Sequence, residues 1–326
     1  MKISAAVGTL LAAIACTSHA QTKSDAPDEF PSKPIHIVVG FTPGGGPDIT
    51  GRYIAQKLTE SWKQQVIVEN RPGAGGTLAA GMVARANPDG YTLLSVSSAH
   101  AIAAAIYPKL PYDTLKDLSG ITQSGSSKYV LVVAPSLGLK SVKELLAAAR
   151  SKPGQLNFSS AGTGSGSHFA AEIFKAQAAI DVVHVPFKGI PEALTDTMAG
   201  RVQFFMAPIA NAVNQVKEGR LVGLGVSSRT RDTLLPDVPA IAEAGVSDYE
   251  TELWFGLLTS SAVPRSILTK LNREIVRILS ESEVKQRWTP IGIDPRPTTP
   301  EAFDKMLRDE IAVFTKISRA ANIKVE

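Results

Sequence analysis

What most constrains this chain is a repeated order: a short β-branched run, a glycine-rich turn, then a helical stretch. Ile35-His36-Ile37-Val38-Val39 reads as a buried strand. Phe41-Thr42-Pro43-Gly44-Gly45-Gly46-Pro47-Asp48 follows it and leads into a helical pattern over 49–61. Val66-Ile67-Val68 and residues 91–96 read as further strands, with a helix over 77–86 between them. A second series starts at Tyr129-Val130-Leu131-Val132-Val133. It continues with a helix over 141–150, where Ser141 is the N-cap and Glu144 completes a capping box. A strand at 156–158, a helix over 167–177 and a strand at 182–185 come next, and 191–199, 202–206, 209–218 and 221–226 keep the alternation. Strand, helix, strand at this spacing means βαβ units and mainly parallel sheets flanked by helices.

The end of the chain differs. Leu268, Leu271, Ile275 and Ile278, then Phe303, Leu307, Ile311 and Phe314, recur at steps of three or four, so two long amphipathic helices close it. Residues 253–258 read as a strand returning to the first sheet. At 326 residues, 44% hydrophobic and 20% charged, the chain can fill two packed domains and is too apolar for wholesale disorder. We expect an α/β protein of two lobes with a cleft between them. Lobe 1 comprises 31–126 and 250–326, and lobe 2 is inserted as 127–249. The crossings fall near 123–130 and 246–258. A cleft of this kind is a common ligand site, and paired crossings permit hinge closure.

The first residues read as an address. Lys2, an apolar stretch over 5–15 and Ser18-His19-Ala20 before a polar segment make a secretory signal over 1–20, cleaved after Ala20. The apolar stretch is too short to anchor the chain in a bilayer. The single cysteine, Cys16, lies within it, in Ala13-Ile14-Ala15-Cys16, which is loosely similar to a lipoprotein processing site. The exported chain would then lack thiols, which excludes disulfides, cysteine nucleophiles and Fe–S ligation. A net charge of +4, from 34 basic and 30 acidic residues, comes without any Lys/Arg block. Nucleic acid is therefore not the expected partner, and a small anion would suit the balance.

Chemistry concentrates in the turns. In Thr42, Pro43, Gly44, Gly45, Gly46 and Asp48, three glycines remove Cβ atoms and let backbone amides approach a ligand. A helix start there would favour a carboxylate or phosphate. A tight turn with no ligand, capped by Asp48, is the equal alternative. Thr163, Gly164, Ser165, Ser167 and His168 form a second such turn, with hydroxyls added to the amides, unless it is simply a solvated loop. Asn70-Arg71-Pro72-Gly73-Ala74-Gly75-Gly76-Thr77 is a third, whose Arg71 could pair with ligand or bind nearby carbonyls. Ser97 and Ser98 end a strand where parallel sheets expose ligand-facing residues, and Lys188 either charges the cleft or is solvated.

No turn completes a dinucleotide fingerprint, a phosphate-binding loop or a nucleophile elbow. His36, His100, His168 and His184 lack metal-ligand spacing, so neither metal nor cofactor is expected. Ser165 or Ser167 beside His168 would make a serine hydrolase only with a triad geometry that sequence neighbours rarely have.

Several ordered motifs resemble one family. They are Pro31-Ser32-Lys33-Pro34-Ile35, Pro43-Gly44-Gly45-Gly46-Pro47-Asp48, Asn70-Arg71-Pro72-Gly73-Ala74-Gly75-Gly76 and Asn87-Pro88-Asp89-Gly90-Tyr91-Thr92-Leu93. Gly164-Ser165-Gly166-Ser167-His168, His184-Val185-Pro186-Phe187-Lys188-Gly189 and Pro236-Asp237-Val238-Pro239-Ala240-Ile241-Ala242-Glu243-Ala244-Gly245 follow. In this order they are similar to the periplasmic substrate-binding receptors of the tripartite tricarboxylate transporter, Bug-type, family. The resemblance implies a two-lobed receptor that closes on an organic acid and presents it to a membrane permease; a ligand-sensing partner of a signalling ectodomain is the alternative reading, and nothing in the sequence argues against a monomer. The resemblance also implies that amides and hydroxyls of Thr42–Asp48 and Thr163–His168 hold the carboxylate. Ser97, Ser98, Phe187, Lys188, Ala207 or Asn211 would meet the ligand's far end. Phe187 stands where a tyrosine is usual, and Val202-Gln203 and Met206-Ala207-Pro208 lack the acid many relatives carry. The expected solute is therefore a carboxylic acid without an essential amine, aliphatic or aromatic.

Overall fold

The computed structural model describes residues 30–320 and 323, so the expected signal segment and Cys16 lie outside the described residues. The strands are β1 (Ile35–Val39), β2 (Val66–Asn70), β3 (Thr92–Ser97), β4 (Leu118–Val133), β5 (Asn157–Ser160), β6 (Val183–Pro186), β7 (Phe204–Pro208), β8 (Val222–Val226), β9 (Glu252–Ser260) and β10 (Asp294–Pro295). The helices are α1 (Gly46–Trp62), α2 (Thr77–Ala84), α3 (Ala99–Ile106), α4 (Val142–Ser151), α5 (Gly166–Ala178), α6 (Ile190–Met198), α7 (Ile209–Lys217), α8 (Arg265–Leu279), α9 (Ser282–Trp288) and α10 (Pro300–Ala320).

Two sheets share one strand. In the first, β1 lies between β2 and β3 in parallel, β9 is antiparallel to β3, and β4 is antiparallel to β9. In the second, β5 lies between β6 and β7 in parallel, while β7 and β8 run antiparallel to β4. Pairing is thus parallel where strands and helices alternate and antiparallel at the seam. β4 pairs with β9 from Leu118 to Lys128, and with β7 and β8 from Tyr129 onward, so the chain passes between sheets at Lys128–Tyr129. On the back of that crossing the Lys128 ammonium sits 3.0 Å from Asp232 and 3.2 Å from Asp294 of β10.

Each sheet carries helices on both faces. Ile54 and Leu58 of α1 pack with Ile267, Leu271 and Ile275 of α8 on one side of the first sheet. Ala80 of α2, Ile102 of α3 and Phe303 and Leu307 of α10 cover the other. Leu145 of α4 and Phe174 of α5 bury one face of the second sheet, and Leu194 of α6 and Val213 of α7 the opposite one. The expected amphipathic helices at the chain end are α8 and α10. Phe314 of α10 meets Phe169 of α5 edge-on at 5.5 Å, so the last helix touches both lobes.

The expected cap of α4 is present in altered form. Ser141 accepts from the Glu144 amide at 3.2 Å, but the Glu144 carboxylate takes the Lys140 amide at 2.6 Å, one residue before the N-cap. Among the described residues no helix is long and apolar enough to cross a membrane.

Trp254 Nε1 donates to Glu310 on α10 at 2.6 Å. Burial, with Glu252 nearby, pushes the Glu310 carboxyl up to about 7 despite that hydrogen bond. A carboxyl raised in the folded state stabilises it at low pH, and that contribution is lost as pH rises from 4.5 through about 7. Glu310→Gln keeps the acceptor without the charge. It should raise stability at pH 8 by about 1–2 kcal/mol and leave it unchanged at pH 4, as thermal melts across pH will read. Equal shifts at both pH values would rule out a buried ionisation.

Candidate ligand-binding site

Three glycine-rich turns and the seam strands enclose a cavity of ≈ 470 Å³ between the sheets. Its wall holds Thr42 to Pro47 from the turn before α1, Pro72 to Gly76 before α2, and Ala161 to Thr163 with Ser165 to Ser167 before α5. Phe187 to Pro191 lead into α6, Pro208 and Asn211 belong to the start of α7, and Ser97 and Ala99 flank the start of α3. Among the described residues six helices therefore begin at this wall and bring their positive dipole ends to it. Tyr129 at the crossing and Leu253 and Phe255 of β9 complete it. The only charged residue in the lining is Lys188, an exposed side chain with no ion-pair partner among the described residues.

The first-turn amides of α1 and α5 have no intrahelical acceptor. α1 starts at an N-cap, Gly45, that has no capping side chain, and Pro47 removes one donor. The Gly45 and Gly46 amides are left without a protein partner among the described residues. α5 is capped by Ser165, which accepts from the His168 amide at 3.3 Å, while the Gly166 and Ser167 amides stay open. The two starts face one cavity, so an oxygen-rich anion placed there would meet amides from both sheets.

The structure brings together Thr42, Pro43, Gly44, Gly45, Gly46, Ser97, Thr163, Ser165, Ser167, Phe187 and Lys188. Five expected residues stand behind the wall instead. Asp48 is the third residue of α1, not its N-cap. Its carboxylate accepts from the Gly44 amide at 3.0 Å, Arg52 Nε at 3.0 Å and Asn70 Nδ2 at 2.9 Å. Burial raises the Asp48 pKa, but those bonds outweigh it and hold the carboxyl below its usual range. Ser98 gives its amide to the Trp254 carbonyl at 3.1 Å. Gly164, at φ +79°, packs against Ile106. His168 stacks on His184 at 3.8 Å, and Ala207 is enclosed in the second core.

Burial drives His168 down to about 3 and His184 down to about 4, so both rings are neutral. His168 Nδ1 accepts from the Gly164 amide at 3.2 Å, and neither Ser165 nor Ser167 places its hydroxyl on that ring. The hydrolase arrangement is not formed. Arg71 is exposed and pairs with Glu69 at 2.9 Å, away from the cavity. His36 bonds Glu69 at 2.8 Å, and among the described residues no histidine cluster could hold a metal.

The third glycine turn offered by the sequence does reach the wall, through Pro72 to Gly76, whereas Tyr129, Leu253 and Phe255 carry no local signal for it. The period of two along β9 puts Leu253 and Phe255 on one face, a signal that becomes readable only once the crossing is known.

The fold is the two-lobed one of periplasmic binding proteins. A solved chain described as a periplasmic transporter is 32% identical, with a TM-score of 0.83, covering 91% of this chain and 100% of that one. The protein belongs to the tripartite tricarboxylate transporter receptors: the profile "Tripartite tricarboxylate transporter family receptor" matches residues 50–323. Protein BugT of Bordetella pertussis is 31% identical over 92% of each chain. A chain of R. palustris solved with adipate is 31% identical, with a TM-score of 0.85, over 90% of this chain and 99% of its own. MatC of Rhodopseudomonas palustris, solved with malate, is 32% identical, with a TM-score of 0.81, over 88% and 99%.

Proposed function

We propose that the protein is a periplasmic receptor that captures an organic acid, aliphatic or aromatic, in the cleft and delivers it to the membrane permease of a tripartite tricarboxylate transporter. Lobe 1, 31–126 with 250–326, would close on lobe 2, 127–249, by bending at the Lys128–Tyr129 crossing. The carrying observation is the wall's charge balance. Residues of two helix starts with open amides, and one lysine, line the cavity, and among the described residues no carboxylate does. Such a wall stabilises an acid's negative charge and offers an ammonium group no counter-charge. The adipate and malate held by the two R. palustris relatives support a carboxylate as the solute. The cut after Ala20 and a monomeric state belong to the same proposal.

Thermal melts of the processed chain with adipate, malate, benzoate, glutamate and adipamide test it. An acid at a hundred times its Kd should stabilise by roughly 2.7 kcal/mol, whereas uncharged adipamide should not. Lys188→Met should weaken dicarboxylates about five-fold, the worth of one exposed ion pair, and leave benzoate unchanged. Stabilisation by adipamide equal to that by adipate, or none by any acid, would remove the reading.

A further inference from the structure

The two cleft turns are one turn built twice. Gly44 and Gly164 both take left-handed backbone, at φ +86° and +79°. The next residues, Gly45 and Ser165, are N-caps at φ/ψ of −79°/164° and −73°/158°. Helices then begin at Gly46 and Gly166, and the third helical residue in each is Asp48 or His168. In both copies that side chain reaches back to the amide just before the N-cap. Asp48 Oδ2 accepts from Gly44 N at 3.0 Å, and His168 Nδ1 accepts from Gly164 N at 3.2 Å.

On these matched contacts we infer that Asp48 and His168 are equivalent positioning residues, latches that hold each turn so the following amides face the acid. This rests on the receptor reading above. Neither residue lines the cavity, so neither acts by touching the solute. Each engages the amide just before the N-cap and leaves Gly45 and Gly46, or Gly166 and Ser167, open. A glycine-rich turn has little stiffness of its own, so its aim must come from outside it.

The backing differs in chemistry and agrees in purpose. Asn70 ties Asp48 to the Phe41 carbonyl at 3.0 Å, and Arg52 caps Asp48 and Asn70 together. A carboxylate below an anion site would repel the solute, and Arg52 offsets it. The second latch avoids that repulsion with a neutral imidazole, clamped flat against His184, whose Nε2 lies 2.6 Å from the Ser160 hydroxyl.

His168→Phe keeps the stacked ring and deletes the acceptor, while His168→Asn keeps an acceptor near the Nδ1 position and deletes the ring. Calorimetry with adipate should find the Phe variant roughly ten-fold weaker, the scale of one buried amide left unsatisfied, and the Asn variant restored to within about three-fold. Asp48→Leu and Asp48→Asn should behave as the matching pair. Amide exchange at Gly164, read by NMR without any acid, should speed up in His168→Phe and not in His168→Asn. Parental adipate affinity in the Phe variant, or an Asn variant as weak as it, overturns the latch. A parent protein that binds no acid sinks the receptor reading alone. The exchange arm still decides the latch then, and unchanged Gly164 exchange in His168→Phe overturns it.

Discussion

Gly45→Val should abolish acid binding, by a hundred-fold or more, in a protein that melts within about 2 °C of the parent. The asymmetry comes from where a Cβ would go. At Gly45 its nearest neighbours would be the Thr42 carbonyl at 3.8 Å and Pro47 Cδ at 3.9 Å, ordinary contacts. The backbone at φ −79°, ψ 164° is extended and suits a β-branched residue. The fold has no objection, but the added methyls occupy the cavity side of the Gly45 and Gly46 amides and hold a carboxylate beyond hydrogen-bond reach. The adjacent position is a control of opposite kind. A Cβ on Gly46 would fall 2.1 Å from the buried Phe255 ring, so Gly46→Ala should lower the melting temperature as well as the affinity. Calorimetry and thermal melts on both variants check the pair. Parental affinity in Gly45→Val would show that the turn does not grip the solute.

The second large effect is on stability. Phe303 of α10 is fully buried, edge-on to Trp254 at 5.5 Å. Its ring presses on bare backbone of two neighbouring strands: a Cβ would meet it at 2.7 Å from Gly120 of β4 and at 2.2 Å from Gly256 of β9. Both strands there are held rigid by pairing, so the surroundings can collapse little into a vacated site. Phe303→Ala should cost about 4 kcal/mol and lower the melting temperature by roughly 10 °C. The remaining folded protein should bind with near-parental affinity, because the ring is not part of the wall. Denaturant titration measures the loss, and a cost under about 1 kcal/mol would mean that α10 is not docked this way.

The alternating strands and helices were legible because each buried strand is a β-branched run and each helix shows its own period. β1 with α1 and β5 with α5 fall almost where the pattern puts them. The first half of β4 was not legible. Residues 118–128 are rich in serine and glycine and carry no alternation. They pair because β9 and β10 flank them and because Gly120 and Gly125 admit Phe303 and β10 closely. α3 went unread for the opposite reason: its alanines and isoleucines are buried nearly all round, which leaves no polar face to mark a period.

The site divides the same way. Glycine turns ahead of helices marked both cavity-lining turns, since that pattern is local. That Asp48 and His168 stand behind the wall is not, because Asp48 is committed through Asn70 of β2 and His168 through His184 of β6. Phe255 and Tyr129 reach the cavity only because the seam strands cross there.

A grip made of main-chain amides has a consequence for how such a protein can change. Every residue type but proline carries the same donor, so under the proposed grip side-chain drift would erase head-group recognition only where a bulky group screens the amides, as at Gly45, or where Asp48 or His168 is lost. Phe187, Lys188 and Asn211 contribute side chains to the same wall, and under the proposal these are what a different tail would meet. Under the proposed grip, head-group capture and tail discrimination would be separately editable, and a redesign toward a new acid would keep Gly44 to Asp48 and Gly164 to His168 untouched while varying only those side chains.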